Sequence, residues 1–195
     1  MKGIIFDLDG TLLDSFSIRV DAWHSAFEKN GISVNREDIK PLIGLPGLVL
    51  AAYFCDIPHK IEHDEEEIFR NRIRSDAFFS DVWPTLKKID EMGNVWSIVT
   101  SSRRAFVELL PIDQEKIITI DDVSYGKPSI EPYELALKKM GTSKNNTIVV
   151  GDSVNDMIPA RSMGMKAILV THGFERGIEI YDERIKDIAE VICFL

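Results

Sequence analysis

In four places this chain puts acids, hydroxyls or an ammonium where they can act together. In the first, the apolar run Gly3-Ile4-Ile5-Phe6 ends in Asp7-Leu8-Asp9-Gly10-Thr11. A short apolar run closed by a turn reads as a buried strand, and alternate strand residues point the same way, so Asp7 and Asp9 can face one site. Carboxylates that close repel each other unless a cation lies between them or one holds a proton. A magnesium ion is the economical answer. A carboxylate can also attack phosphorus directly, which makes Asp7 the candidate nucleophile. Asp9 can protonate the leaving oxygen and then deprotonate the attacking water. Gly10 permits the turn out of the strand, and the Thr11 hydroxyl can fix that turn or an acidic side chain.

The second place is Thr100-Ser101-Ser102, after the apolar run Val95–Val99. A hydroxyl there can donate to a phosphoryl oxygen without adding charge, although Ser101 or Ser102 can equally cap a helix over Arg103–Leu110. Arg103 and Arg104 can guide an anion. The third is Tyr125-Gly126-Lys127-Pro128, where a lysine pinned between Gly and Pro has a defined direction and can offset the charge of Asp7 and of a transferring phosphoryl group. The fourth is Val149-Val150-Gly151-Asp152-Ser153-Val154-Asn155-Asp156. Asp152 and Asp156, four apart, can converge on one point. Magnesium takes few protein oxygens, so Asp7, Asp152 and the backbone carbonyl of Asp9 suffice as ligands. Asp156 then holds a metal-bound water or orients Lys127 from behind the ligands. Ser153 and Asp156 also fit a helix-capping pair.

These groups need a frame. The β-branched runs 95–100, 116–120, 147–151 and 166–170 carry apolar residues on both faces, as parallel strands inside an α/β sandwich do. Helices are expected over 84–92, stopped by Gly93, and over 131–140, stopped by Gly141 and capped by Ser129. Strands alternating with helices predict a doubly wound parallel sheet, with its site beyond the C-terminal strand ends. Residues 15–80 depart from the alternation. Helical spacing over 15–30, 36–43, 47–54 and 61–79, without a strand candidate, predicts an inserted helical domain placed as a lid. The core is then 1–14 with 81–195.

Bulk composition narrows the class. With 195 residues, 45% hydrophobic and 28% charged, the chain reads as an ordinary globular protein able to bury a core. A net charge of −9 argues against nucleic acid or an anionic membrane as partner. It leaves room for an anionic small molecule beside a divalent cation. Cys55 and Cys193 lack metal-type spacing and read as free thiols of a reducing compartment. With no signal-like start and no long apolar run, the expected location is the cytoplasm. Monomer and homodimer remain equally open.

Taken in order, the four motifs resemble the signature of the haloacid dehalogenase-like hydrolases, over residues 3 to about 170. The helical insertion resembles the C1-type cap of the phosphoglycolate phosphatase and β-phosphoglucomutase branch. The resemblance implies a Rossmann-like core and Mg2+-dependent hydrolysis of a small phosphorylated metabolite through an aspartyl-phosphate. Its roles carry over to Asp7 as nucleophile, Asp9 as acid/base, Thr100 and Lys127 on the phosphoryl group, and Asp7, Asp9 and Asp152 on the metal. A sugar-phosphate mutase is the alternative, since it uses the same intermediate, and a non-catalytic binding protein on this fold is a third reading, against which the intact Asp7, Asp9, Lys127 and Asp152 count. Where the family often has Gly-Lys-Pro-x-Pro-Glu-Pro, this chain has Ser129-Ile130-Glu131-Pro132, without the middle proline. In the dehalogenase branch of that family the position of Asp9 is not an acid, so the resemblance implies phosphoryl transfer rather than carbon–halogen cleavage. The segment Leu42-Ile43-Gly44-Leu45-Pro46-Gly47 resembles the family's substrate-specificity loop and brings Gly44 and Leu45 into the expected substrate-binding set with Thr11, Ser101, Ser102 and Arg103; Arg19, Lys40, Arg103 and Arg104 are candidate grips for a second anionic group.

Overall fold

The structure is a computed structural model that describes residues 1–73, 77–173 and 177–195. Its chain divides into two compact units, Met1–Leu13 with Phe78–Leu195, and Asp14–Ala77.

The first unit is built on one parallel sheet. Among the described residues six strands form it: β1 Gly3–Phe6, β2 Val95–Val99, β3 Ile117–Ile118, β4 Thr147–Gly151, β5 Lys166–Val170 and β6 Glu183–Ile185. Their order is β3-β2-β1-β4-β5-β6, and every neighbouring pair is parallel. The chain steps outward from β1 to β3 and then returns to pair β4 with the other side of β1. Strand order therefore reverses between β1 and β4, the crevice where sites of doubly wound sheets form. Ile4, Ile5 and Phe6 are fully buried, as the two-faced burial of a central strand requires.

The second unit is helical: α1 Phe16–Lys29, α2 Arg36–Ile39, α3 Gly47–Ala52 and α4 Pro58–Arg72. It owns a core of Trp23, Ala26, Phe27, Val34, Ile39, Leu50, Ala51 and Ile61. The helix expected over 36–43 breaks into α2 and a 3-10 turn at Lys40–Leu42, because Pro41 has no N–H for an α-helical bond. The helix expected over 61–79 starts earlier, with Pro58 in its first turn, and ends at Arg72. Residues 74–76 of that expectation lie outside the described residues. Leu13 forms an antiparallel bridge with Phe78, and the Phe79 amide donates to the Leu12 carbonyl at 3.0 Å. Those contacts tie 78 and 79 to the segment after β1, so the division falls at 13/14 and 77/78 rather than at 14/15 and 80/81.

In the first unit the remaining helices are α5 Val82–Glu91, α6 Arg104–Val107, α7 Glu131–Met140 and α8 Val154–Ser162. Gly141 ends α7 in the left-handed region, at φ 64°, where a side chain would be strained. Tyr133 and Ala136 of α7 and Met157 and Ala160 of α8 pack into the core formed with Ile5, Val99, Val149 and Leu169. β3 is shorter than expected because 3-10 turns at Gln114–Lys116 and Ile120–Asp122 close on both sides of it. β6 was not expected at all. Of its three residues only Ile185 is buried, so it carries little strand signal. Among the described residues no helix is long and apolar enough to cross a membrane. Cys55 is half-buried and Cys193 exposed, both free.

Candidate active site

The C-terminal ends of β1, β2 and β4 deliver the groups that the sequence singled out. Asp7 follows β1 directly, and its amide still donates to Val150 of β4 at 2.9 Å, which holds it at the sheet edge. Lys127 reaches the same edge from the loop before α7. Its ammonium donates to Asp7 Oδ1 at 2.5 Å, to Asp156 Oδ1 at 2.8 Å and to the Val99 carbonyl at 3.1 Å. Three bonds use all three of its protons and fix its direction. Lys127, Asp7, Asp152 and Asp156 are all buried.

Asp156 is held on both oxygens. Besides Lys127, Oδ1 accepts from the Tyr133 hydroxyl at 3.3 Å, and Oδ2 accepts from the Ser153 hydroxyl at 2.7 Å. Ser153 does stand at the N-cap of α8, but its side chain binds the Asp156 carboxylate and makes no capping bond to the backbone. Gly151 is required here by space, since a Cβ on it would come within 2.4 Å of Asp156 Cβ. Asp7 Oδ2 accepts from the Thr11 hydroxyl at 3.2 Å. Thr11 thus holds an acidic side chain, one of its two expected roles.

The electrostatics follow from burial. Desolvation pushes the Asp7 carboxyl well above the ordinary carboxylate range; Lys127 opposes this, while Asp156 and Asp152 reinforce it. Burial also works against charge on Lys127, yet the carboxylates of Asp156 and Asp7 hold its ammonium well above the usual lysine value. Burial, reinforced by Asp156, raises the Tyr133 phenol, which therefore stays a donor. One oxygen each of Asp7, Asp152 and Asp156 lies within 4.8 Å of the other two. Buried, all-oxygen and too weakly compensated by Lys127 to hold Asp7 in its normal range, this donor set suits a hard divalent cation.

The other expected residues divide into those at this edge and those elsewhere. The amide of Thr100 donates to Ile118 at 2.9 Å, and its hydroxyl oxygen accepts from the Ser102 amide at 3.0 Å. Asp9 is half-buried, past the end of β1, and its Oδ2 accepts from the Ser102 hydroxyl at 2.8 Å. Its carboxylate is not one of the three clustered acids. Neither serine caps α6. Arg103 stands at that cap, and Asp121 Oδ2 accepts from the Arg104 amide at 2.8 Å. Ser101 is exposed. Arg103 pairs with Asp121 at 3.2 Å, and Arg104 pairs with Asp122. In the helical unit Arg19 pairs with Glu65 at 3.2 Å and Lys40 with Glu37 at 2.6 Å, so each of the four candidate cations has an acidic partner. Gly44, at φ 100°, and Leu45 lie in the turn between the 3-10 segment and α3. Ser129 is not the N-cap of α7, although its hydroxyl accepts from the Glu131 amide at 3.2 Å. Tyr133 and the Val99 carbonyl were not anticipated, and Ser153, expected as a capping partner of Asp156, bonds its carboxylate instead. An aromatic inside an amphipathic helix reads as core, and nothing in sequence says where its hydroxyl ends.

Comparison with known proteins matches residues 4–170 to the sequence profile of the haloacid dehalogenase-like hydrolases. A relative named pyrophosphatase PpaX, from Bacillus velezensis, is 29% identical over 178 residues, covering 85% of this chain and 81% of that protein. A predicted phosphoglycolate phosphatase from Haemophilus somnus superposes with a TM-score of 0.85 at 21% identity, over 100% of this chain and 97% of that one. CbbY from Rhodobacter sphaeroides, solved as a mutant with xylulose-(1,5)bisphosphate, gives a TM-score of 0.80 at 20% identity, over 98% and 96% of the two chains. At those identities the two structures speak for the fold.

Proposed function

We propose that this chain, which belongs to the haloacid dehalogenase-like hydrolases, is a magnesium-dependent phosphatase that hydrolyses a small phosphorylated metabolite through a phosphoryl group carried on Asp7. The observation that carries the reading is Asp7 itself. It is a buried carboxylate held by Lys127 and Thr11 and grouped with two further acids.

Asp7 attacks phosphorus, and the bond from phosphorus to the ester oxygen breaks. Asp9, steadied by Ser102, gives the departing oxygen its proton. Water then attacks the phosphorus of the aspartyl-phosphate, Asp9 takes the water's proton, and phosphate leaves with the Asp7 carboxylate restored. Lys127 offsets negative charge on Asp7 and on the transferring group throughout. Thr100 Oγ1 accepts the Ser102 amide through a lone pair, so its own O–H is available for a phosphoryl oxygen. Asp7 and Asp152, with the backbone of Asp9, would hold Mg2+. Asp156 is occupied in orienting Lys127. When bound, the ion supplies positive charge against the phosphoryl oxygens. Choice among esters is assigned to the helical unit, through the turn containing Gly44 and Leu45.

The experiment is phosphate release with and without Mg2+ across phosphorylated metabolites, inorganic pyrophosphate and an aryl phosphate. Magnesium-dependent release from one metabolite supports the reading and identifies its substrate. Isomerised product without free phosphate would replace hydrolysis with mutase action. No reaction of either kind would overturn it.

A further inference from the structure

His172 follows β5 in a backbone conformation that most residues avoid. Its φ is 47°, in the left-handed region, and the next residue, Gly173, is also there at φ 83°. A glycine would take such a position without strain, whereas a histidine must be held in it. Two side-chain contacts hold it. The imidazole stacks on the Phe79 ring, with centroids 3.5 Å apart and planes within 10°. Its Nε2 lies 2.9 Å from the Thr11 carbonyl oxygen. A carbonyl only accepts, so Nε2 carries the proton and donates. The backbone is tied as well, since the His172 amide donates to Lys186 at 2.8 Å.

Those contacts close on the nucleophile. The Thr11 hydroxyl donates to Asp7 Oδ2, and Phe79, which stacks on His172, donates its amide to Leu12 of the same turn. The turn from Leu8 to Leu13 leaves β1 with its direction set by short internal bonds from Gly10, Leu12 and Leu13. His172 and Phe79 grip it from outside.

We infer that His172 is a positioning residue: it braces the turn after β1 and so fixes the orientation of the Thr11 hydroxyl on Asp7. It touches no reacting atom and acts through Thr11. The catalytic consequence rests on the phosphatase reading above, while the brace itself does not. Orientation of a nucleophile acts on turnover more than on ground-state binding.

The test uses His172→Gly in the full-length protein, which relieves the backbone and leaves a ring-sized gap against Phe79. Amide hydrogen exchange at Gly10, Leu12 and Leu13 should quicken by at least about tenfold, and kcat should fall at least about tenfold with KM within about twofold. Added imidazole should reverse both effects. 1-Methylimidazole, which can stack but has no ring N–H, should not, at about pH 8.5 where both are neutral. If the variant does not fold, His172→Phe keeps the stacked ring without the donor and is read by exchange and turnover alone. Unchanged exchange would overturn the proposal, and so would a loosened turn with undiminished kcat. An inactive wild type would sink the phosphatase reading alone, because the exchange comparison decides on His172 without turnover.

Discussion

Asp64 and Glu65 in the helical unit are as deeply buried as Asp7, Asp152 and Asp156 in the sheet unit, but they are provided for differently. Asp64 accepts from Lys29 Nζ and from Asn30 Nδ2, both at 2.7 Å. Those bonds hold its carboxyl below the ordinary range. Glu65 receives Arg19 at 3.2 and 3.4 Å, and the same guanidinium sits 3.5 Å from the Phe69 ring centroid. Each acid there has a cation, and the pairs join α1 to α4. In the sheet unit Lys127 is shared between Asp7 and Asp156, and the Asp7 carboxyl remains well above its ordinary range. Acids matched within the fold stabilise it. An acid left under-compensated, as Asp7 is, costs stability, and on the proposed reading it stands where a cation and a phosphoryl group would use it.

The sharpest way to break this contrast is Asp7→Asn. The change is nearly isosteric, so the fold should stand while phosphate release falls by about a thousandfold or more, as loss of a covalent nucleophile does. Because it removes an unfavourable buried charge, the thermal midpoint without metal at neutral pH should hold or rise. Retained turnover would remove Asp7 as nucleophile. A collapsed midpoint would show that the charge supports the fold, as Asp64 does.

Asp152→Ala comes next. It should weaken Mg2+ binding, raising the metal concentration at half-maximal rate by at least about tenfold. An unchanged titration would exclude Asp152 as a ligand. The pH dependence has a defined sign. Asp7 titrates higher in the folded chain than in the unfolded one, near 3.9. Its contribution to stability is therefore present in full below that value and is lost as pH rises through the raised folded value. The metal-free protein should lose thermal stability over that interval. The gain from added Mg2+ should grow over it, because ligation needs the ionised carboxylate.

Asp64 carries the opposite sign and a smaller effect. Its folded value is lowered, so its contribution is present above about pH 3.9 and disappears as pH falls through the folded value. Asp64→Ala should lower the thermal midpoint by about 3–6 °C at neutral pH and by much less in acid, with turnover per folded molecule unchanged. Loss of turnover without loss of stability would assign Asp64 to the site instead.

How far the sequence could reveal these arrangements depended on what fixed each one. β1 and β4 stand out because both faces are apolar and the acids follow at once. α7 stands out at its C-terminal end because Gly141 takes the left-handed stop, whereas Ser129, expected to cap its start, is not its N-cap. β6 was hidden because pairing with β5, rather than its own residues, makes Glu183–Ile185 a strand. At the site, Asp7, Lys127, Asp152 and Asp156 could be named from types and spacing, since acids that follow apolar strands directly, and a lysine pinned between Gly126 and Pro128, are visible in the sequence itself. The partners that orient them could not. Tyr133 reaches Asp156 only through the packing of α7 on the sheet, and His172 reaches Thr11 only because β5 ends near the turn after β1. Arg103 and Arg104 looked available for an anion until the Ile120–Asp122 turn placed Asp121 and Asp122 beside them.

The smallest expected effect tests whether the two units also divide the work. If the sheet unit carries the chemistry and the helical unit the choice of ester, changes in the turn at Gly44 and Leu45 should alter preference and leave the chemical step alone. Leu45→Ala should shift the ratio of kcat/KM between the best metabolite and the next by about threefold to tenfold, the scale of a lost apolar contact. The rate on an aryl phosphate should stay within about twofold. That ratio is informative because a fold defect would depress both substrates together. A changed ratio with a constant aryl rate would place selection in the helical unit. An unchanged ratio would return it to the sheet edge, where Thr100 and the Asp9–Ser102 pair stand among the polar groups.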